Sequence, residues 1–394
     1  MMARRNLRTV CVVTGSRAEY GILRHLLFQI RKSKKLKLQL VVSAMHLLDE
    51  FGSTVEQIRR DGFAIDATVP LNPGDSKQSM AKAIGSGIIG LTDAFASLDP
   101  DLVLVLGDRF EALAAAIAAA YSGRVVVHVG GGDSPHAGYD EYSRHAITKI
   151  SHLHFPFTEA CAARIRQMGE DPQNVVVSGS PSIDSIQSLS LETREAVLRR
   201  YDLDPDGAVA LVLYHPLSTS EQTAGAEMRQ LLDAVADVDV QALIVFPNFD
   251  PGGRRIIAVI DEYVRADPRL KAVKNVPYAD FLNLLHAADV MVGNSSSGIL
   301  EAPSFKIPVV NVGSRQEGRE RGGNVIDVPA DRASIRRAIQ TALHGEDFRR
   351  GLARCINPYG QGNASRTIVA ALESVPLTPA LLMKKFDDRA LARS

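Results

Sequence analysis

Short runs of consecutive apolar, largely β-branched residues alternate along this chain with longer stretches whose apolar positions recur every three or four residues. In the first half the short runs are "TVCVVTG", "LQLVVSA", "DLVLVLGD", "VVVHVGG", "LHFPF" and "NVVVSGS", and each reads as a strand. Helices are expected between them, for example in "EYGILRHLLFQIRKS", "FEALAAAIAAAYSG" and "EYSRHAITKISH". A strand that is apolar throughout must be covered on both faces, and a helix after each strand supplies that cover in a parallel sheet. The second half repeats the pattern with "AVALVLYHP", "ALIVFPN", "DVMVGN", "PVVNVG" and "NVIDVP". Between the halves, "SPSIDSIQSLSLETREAVLRRYDLDPDG" closes in an Asp-Pro-Asp-Gly turn. The expected fold is therefore α/β, with two Rossmann-like doubly wound domains around a cleft. The boundaries are placed at 1–190 and 191–375, with a C-terminal tail at 376–394. In such folds ligands bind outside the carboxyl ends of the strands, so chemistry is sought there.

The 394 residues exceed what one ordinary core accommodates, which agrees with two domains. Lys plus Arg and Asp plus Glu each total 45, and this balance argues against nucleic acid or a membrane surface as partner. Three distant cysteines, Cys11, Cys161 and Cys355, form no CxxC pair, so neither a disulfide framework nor a cysteine-rich zinc site organises the chain. The apolar run near the N-terminus is too short for a signal peptide, and "ALAAAIAAAY" is about half a membrane span. A cytoplasmic protein assembled as a homo-oligomer is expected.

No GxGxxG and no GxxxxGK[ST] comes after any strand, so dinucleotide and Walker fingerprints are both missing. The strand ends carry other residues. The first strand delivers Gly15, Ser16, Arg17 and Glu19; the "LVLVLGDRFEA" segment delivers Asp108, Arg109 and Glu111. Next come His128, Asp133, His136, Asp140, Glu141, Arg144 and His145. The second half adds His215, Asn248, Asp250, the run Ser295–Ser296–Ser297–Gly298, Glu301, and the loop "SRQEGRERGGN" with Arg315, Arg319 and Arg321. Serines at a helix start present hydroxyls and N–H groups to an anion, or simply cap the helix. Glu301, one turn further, suits a ribose diol. Carboxylates and histidines near an arginine suit proton transfer beside a leaving phosphate. Asp140 with Arg144 and Glu141 with His145 also have the spacing of ordinary surface pairs, Asp108 that of a helix cap, and Asp133 that of a turn. His128 and His136 lack i,i+4 spacing and no HExxH occurs, so no metal and no cofactor is expected.

The motifs "TGSRAEYG", "LGDRFEA", "HVGGGD", "DEYSRHAITKISH", "GSPSID", "YHP", "PNFD" and "GNSSSGILEAPSFKIPVVNVGSRQEGRER" together resemble the hydrolysing branch of the UDP-N-acetylglucosamine 2-epimerases, over residues 8 to 375. Those enzymes make mannosamine-type precursors of sialic and legionaminic acids. The resemblance implies the glycosyltransferase-B architecture and a nucleotide-sugar substrate. It also implies loss of the diphosphate by elimination across C1 and C2, followed by addition of water. By the same resemblance Asp108 and Asp140 are acid/base carboxylates, joined as catalytic candidates by Asp133, Arg144 and His215, the last near the diphosphate. Ser296, Ser297 and Gly298 match the phosphate loop and Glu301 the ribose-binding acid. Arg17, Glu19, Asn248, Ser295, Arg315 and Arg319 complete the substrate-binding set.

One motif departs. The family usually reads His-Ile-Glu-Gly-Gly-Glu where this chain reads "HVGGGD", so Gly130 stands for a glutamate and Asp133 for a second. The expectation is that proton transfer falls on the remaining carboxylates and that Gly130 leaves unfilled volume for a sugar bulkier at C4. UDP-N-acetylglucosamine and UDP-N,N'-diacetylbacillosamine are both open as substrates. A non-hydrolysing epimerase, a glycosyltransferase of the same fold and a non-catalytic sugar-nucleotide binder remain the alternatives.

Overall fold

The computed structural model describes residues 7–48, 54–72, 77–135, 138–217, 222–247 and 252–388. The chain divides into two compact units. The first comprises Met1–Ser134, Asp140–Gln187 and Tyr359–Ser394; the second comprises Pro135–Tyr139 and Ser188–Pro358.

The first unit is built on six strands: β1 (Arg8–Thr14), β2 (Leu36–Ser43), β3 (Ala67–Val69), β4 (Leu102–Leu106), β5 (Val125–Val129) and β6 (Leu153–Phe155). They are ordered β3-β2-β1-β4-β5-β6 and all pair parallel. Side-chain alternation splits the strands between two cores. Val10 and Val12 face the helix Arg17–Lys32, through residues such as Leu23, Leu26 and Leu27. Cys11 and Val13 face the helices Lys77–Leu98 and Phe110–Tyr121, where Leu91, Phe95 and a run of alanines pack. Apolar residues on both faces of β1 are thereby accounted for.

The second unit repeats the design with β7 (Val209–Leu213), β8 (Gln241–Val245), β9 (Leu270–Val273), β10 (Val290–Gly293), β11 (Val309–Val312) and β12 (Val325–Val328). Their order, β12-β11-β10-β7-β8-β9, is the same doubly wound topology, again wholly parallel. In each sheet the order reverses beside the first strand: between β1 and β4, and between β7 and β10. The connections leave in opposite directions there, which opens a crevice at the strands' carboxyl ends.

Three sequence expectations differ from the structure. "NVVVSGS" is not a strand of the sheet. It runs beside β6 through Val176 N–H to His154 O and Ser178 N–H to Pro156 O, with a single bridge at His154 and Val175. Pro156 has no N–H to return, so no regular ladder forms. Two short edge strands, β3 and β9, carry mixed polarity and give no strand signal in the sequence. Finally, the segment from Tyr359 onward groups with the first unit, where the sequence expectation divides it between a 191–375 domain and a C-terminal tail at 376–394. Asp184, almost fully buried, accepts from the N–H groups of Ala364 (3.2 Å) and Ser365 (2.5 Å) and so caps the helix Ala364–Ser374. Arg8 Nη1 donates to Leu372 O at 2.8 Å near that helix's other end.

Candidate active site

At the first reversal of strand order β1 ends in Thr14 and the chain turns through Gly15 into the helix Arg17–Lys32. Ser16 is the N-cap: its Oγ accepts from Glu19 N–H at 3.3 Å. Glu19 reaches back, and its Oε2 accepts from Gly15 N–H at 2.8 Å. This Ser-x-x-Glu arrangement is a capping box. It ties one oxygen of the Glu19 carboxyl group to the loop backbone. Glu111, in the first turn of the helix Phe110–Tyr121, lies flat on Gly15; any side-chain carbon there would come within 2.3 Å of Glu111 Cγ. Its Oε1 accepts from Arg109 Nε at 2.7 Å, while Oε2 is buried without a hydrogen-bond partner among the described residues. Burial, and then the neighbouring charge of Glu111, push the Glu19 carboxyl up to about 8. Burial lowers the Arg17 guanidinium to about 10, which leaves it cationic at neutral pH.

Beside this, β4 ends at Leu106, followed by Gly107 and Asp108. The Asp108 carboxylate forms an ion pair with Arg144 of the helix Tyr139–Ile150. Arg144 is only 1% exposed, the largest fully buried side chain among the described residues. A guanidinium taken that far from water needs several partners. Besides Asp108 it has Glu141 Oε2 at 3.5 Å and donates to Asp133 O at 3.3 Å. Glu141 Oε1 also accepts from Ser134 Oγ at 2.7 Å and lies 2.9 Å from His145 Nε2. Arg144 is thus a buried hub joining two strand ends to the helix, beyond an i,i+4 surface pair. Asp140 sits in the first turn of the same helix, partly exposed. Asp133 is buried, and its Oδ1 accepts from Ser134 N–H at 3.1 Å, the local bond of a turn aspartate.

Gly130 has φ +78°, and a side-chain carbon there would lie 2.8 Å from the Phe157 ring. The expected unfilled volume is therefore occupied along that direction by an aromatic ring. His128 is fully buried two residues earlier; its Nε2 donates to Gly107 O at 2.8 Å and its Nδ1 lies 3.2 Å from Thr148 Oγ1. A carbonyl only accepts, so Nε2 carries the hydrogen. Burial lowers this imidazole to about 3 and keeps it neutral.

The second reversal is furnished differently. His215 lies just past β7 and Asn294 just past β10, both buried. His215 N–H donates to Asn294 Oδ1 at 2.7 Å, and Asn294 Nδ2 donates back to His215 O at 2.8 Å. The Asn294 carbonyl in turn accepts from Gln316 Nε2 (2.8 Å) and Arg315 Nη1 (3.2 Å), which draws in the loop after β11. Arg319 Nη1 donates to Gln316 Oε1 at 2.8 Å. Ser296 is the N-cap of the short helix Ser297–Leu300, and its hydroxyl makes no capping bond. The N–H groups of Ser297 and Gly298 are not open: they donate to Ser295 Oγ (3.3 Å) and Ser295 O (3.2 Å). Glu301, 2% exposed, closes this turn and accepts from Tyr278 Oη at 3.5 Å.

The structure thus groups Asp108, Asp133 and Arg144, with Asp140 on the same helix, in the first unit. It groups His215, Ser295–Gly298, Glu301, Arg315 and Arg319 in the second. Asn248 lies outside the described residues. Sequence reasoning ranks neither Glu111 nor Asn294 and passes over Gln316 and Tyr278; only the position of Glu111 and Asn294 just past strands signals them.

Residues 29–373 match the family described as UDP-N-acetylglucosamine 2-epimerase. A Legionella pneumophila protein named UDP-N,N'-diacetylbacillosamine 2-epimerase (hydrolyzing) is 39% identical over 96% of this chain and 99% of its own. The GDP/UDP-N,N'-diacetylbacillosamine 2-epimerase (hydrolyzing) of Campylobacter jejuni is 34% identical over 81% of this chain and 84% of its own. The crystal structure of UDP-GlcNAc 2-epimerase from Neisseria meningitidis bound to UDP-GlcNAc superposes with a TM-score of 0.80, at 21% identity over 92% of this chain and 99% of that one. At that identity the likeness is one of fold.

Proposed function

The chain belongs to the UDP-N-acetylglucosamine 2-epimerase family and is an enzyme of its hydrolysing, nucleotide-sugar type; from that premise we propose that it converts a UDP-N,N'-diacetylbacillosamine-type sugar nucleotide to the free 2-epimer and nucleoside diphosphate. The observation that carries the chemistry is the buried Arg144 holding Asp108 at the end of β4, with Asp140 on the same helix. The choice of sugar is supported by two similar proteins named for it, from Legionella and Campylobacter.

The chemical difficulty is the sugar's C2 proton, which is barely acidic. One carboxylate of the Asp108–Asp140 pair takes that proton as the C1–O bond to the diphosphate breaks, leaving a C1=C2 double bond. Water then adds its oxygen to C1 while a proton reaches C2 on the opposite face. Arg144 keeps Asp108 oriented, which turns a flexible side chain into a placed one. Asp133 acts through its grip on the Ser134 turn. In the second unit, Ser295–Gly298, Arg315 and Arg319 bear the diphosphate charge, Glu301 takes the ribose hydroxyls, and His215 stands beside the phosphates. Arg17 adds positive charge at the first strand end.

Incubation with a panel of UDP- and GDP-sugars, followed by chromatography of released nucleoside diphosphate, tests the reaction. In deuterium oxide the product carries deuterium at C2, and in heavy-oxygen water it carries label at C1. Retention of the original C2 hydrogen in deuterium oxide overturns the elimination.

A further inference from the structure

The segment after the helix Ala364–Ser374 grips an element of the proposed catalytic machinery from its far end. Lys384 enters the first unit with its ammonium 2.5 Å from Ser151 O, 2.7 Å from Lys149 O and 3.5 Å from Thr148 O. Those carbonyls close the C-terminus of the helix Tyr139–Ile150, where a cation completes unsatisfied acceptors and meets the negative end of the helix dipole. Glu170, buried, lies 2.6 Å from Lys384 and 2.6 Å from Lys149, and 3.0 Å from His154. Two more contacts hold the strap: Asp387 N–H donates to Gly169 O at 2.9 Å, and the Phe386 ring sits on Gly169 with Lys149 Nζ 5.1 Å from its centroid.

From that helix end a buried line of bonds runs back to the strand end that carries Asp108. Thr148 Oγ1 meets His128, and His128 donates to Gly107 O, the residue before Asp108. The opposite end of the helix carries Asp140, Glu141 and Arg144. We propose that Lys384 is a positioning residue for the reaction. It pins the C-terminal end of the helix Tyr139–Ile150, so that Arg144 and Asp140 keep their place and, through Thr148 and His128, the Gly107–Asp108 turn keeps its own. This rests on the assignment of proton transfer to Asp108 and Asp140.

The test uses the full chain with Lys384→Met, Lys384→Arg and the milder, exposed Phe386→Ala, which loosens the strap even if Lys384→Met does not fold. Turnover and KM are read from nucleoside diphosphate release, and amide hydrogen exchange is followed over 125–151, with 332–344 in the second unit as control. Displacement of reacting groups by about an ångström costs up to about 100-fold. Lys384→Met is expected to lower kcat about tenfold with KM within about twofold of wild type, and to speed exchange over 125–151 only. Lys384→Arg restores most of both, and Phe386→Ala loses about threefold. Unchanged exchange over 125–151, or faster exchange there with unchanged kcat, overturns the proposal. If wild type turns over none of the sugars, the reaction is misassigned; the exchange measurement then still decides whether Lys384 pins this helix.

Discussion

At the reversal of strand order in the first sheet, a buried glutamate takes the Gly15 N–H and a second glutamate lies on the Gly15 backbone, with buried Arg144 nearby. At the same topological point of the second sheet, an imidazole-bearing residue and an amide exchange two neutral hydrogen bonds, and Arg315 reaches a backbone carbonyl. One fold, used twice, opens the same crevice; the two or three residues just past each strand decide what it does. Buried charge is costly unless it is paired, and in the first unit Arg144 is held by its pairing with Asp108 and Glu141. Neutral donors with nearby arginines suit a polyanion whose charge need not change during the reaction.

The largest effect tests that division directly. Asp108→Asn and Asp140→Asn are each expected to lower turnover at least about 10²-fold, the span of a general acid or base, while UDP affinity stays at the wild-type value. Asp133→Asn falls between them and wild type, because its side chain bonds within its own turn. Near-wild-type turnover in both of the first two variants, on the best substrate found, removes proton transfer from the first unit.

Next in size is the nucleotide. Glu301→Ala and Ser297→Ala should each weaken UDP binding by about 1.5–3 kcal/mol, the worth of one hydrogen bond involving a charged group. Calorimetry with UDP alone reads this, and unchanged affinity in both places the nucleotide elsewhere. Turnover at saturating substrate is expected to change little, the converse of the aspartate variants.

Most of this architecture is legible in the sequence, for a physical reason. Strands buried on both faces must be apolar throughout, so β1, β4, β5, β7 and β10 stand out, and the residues after them become candidates. Edge strands lack that constraint: β3 and β9 mix exposed and buried positions and carry no comparable signal. The serine run is visible because its chemistry is local, although its N–H groups are partly spent on Ser295. Glu111 on Gly15, Arg144 on Asp108 and Tyr278 on Glu301 are not visible, since each pair joins different strand–helix units and only the register of the sheet brings them together. The same limit explains Gly130, where sequence shows a missing carboxylate but not the Phe157 ring behind it.

A smaller effect concerns the second crevice. Asn294→Ala removes both bonds to His215 and leaves buried backbone groups without partners, so stability is expected to fall by about 1–3 kcal/mol. Urea unfolding followed by a probe in the second unit measures it. Because the lost groups are neutral, the loss should be the same at pH 5 and pH 8; a pH-dependent loss would mean that the His215–Asn294 contact is coupled to a titrating group.

The last prediction is the pH dependence that Glu19 should give the first crevice. Glu19 titrates near its ordinary value of 4.5 when unfolded but at about 8 when folded, because burial and the charge of Glu111 disfavour its carboxylate. Between those two values the folded chain holds more proton at this site than the unfolded chain. Its contribution to stability is therefore fully present below about 4.5 and is lost as pH rises toward 8. Glu19→Gln keeps an oxygen to accept from Gly15 N–H but cannot ionise. At pH 5 the variant should be close to wild type or slightly weaker, for want of an ideal capping box. As pH rises to 8 its urea midpoint should gain steadily on the wild type. Both proteins share every other titration, including the low-pH loss expected from Glu170, so their difference reports Glu19 and its coupling to Glu111. A difference that stays flat from pH 5 to 8 would mean that the two carboxyls do not share a buried site, and the contrast between the crevices would lose its electrostatic basis.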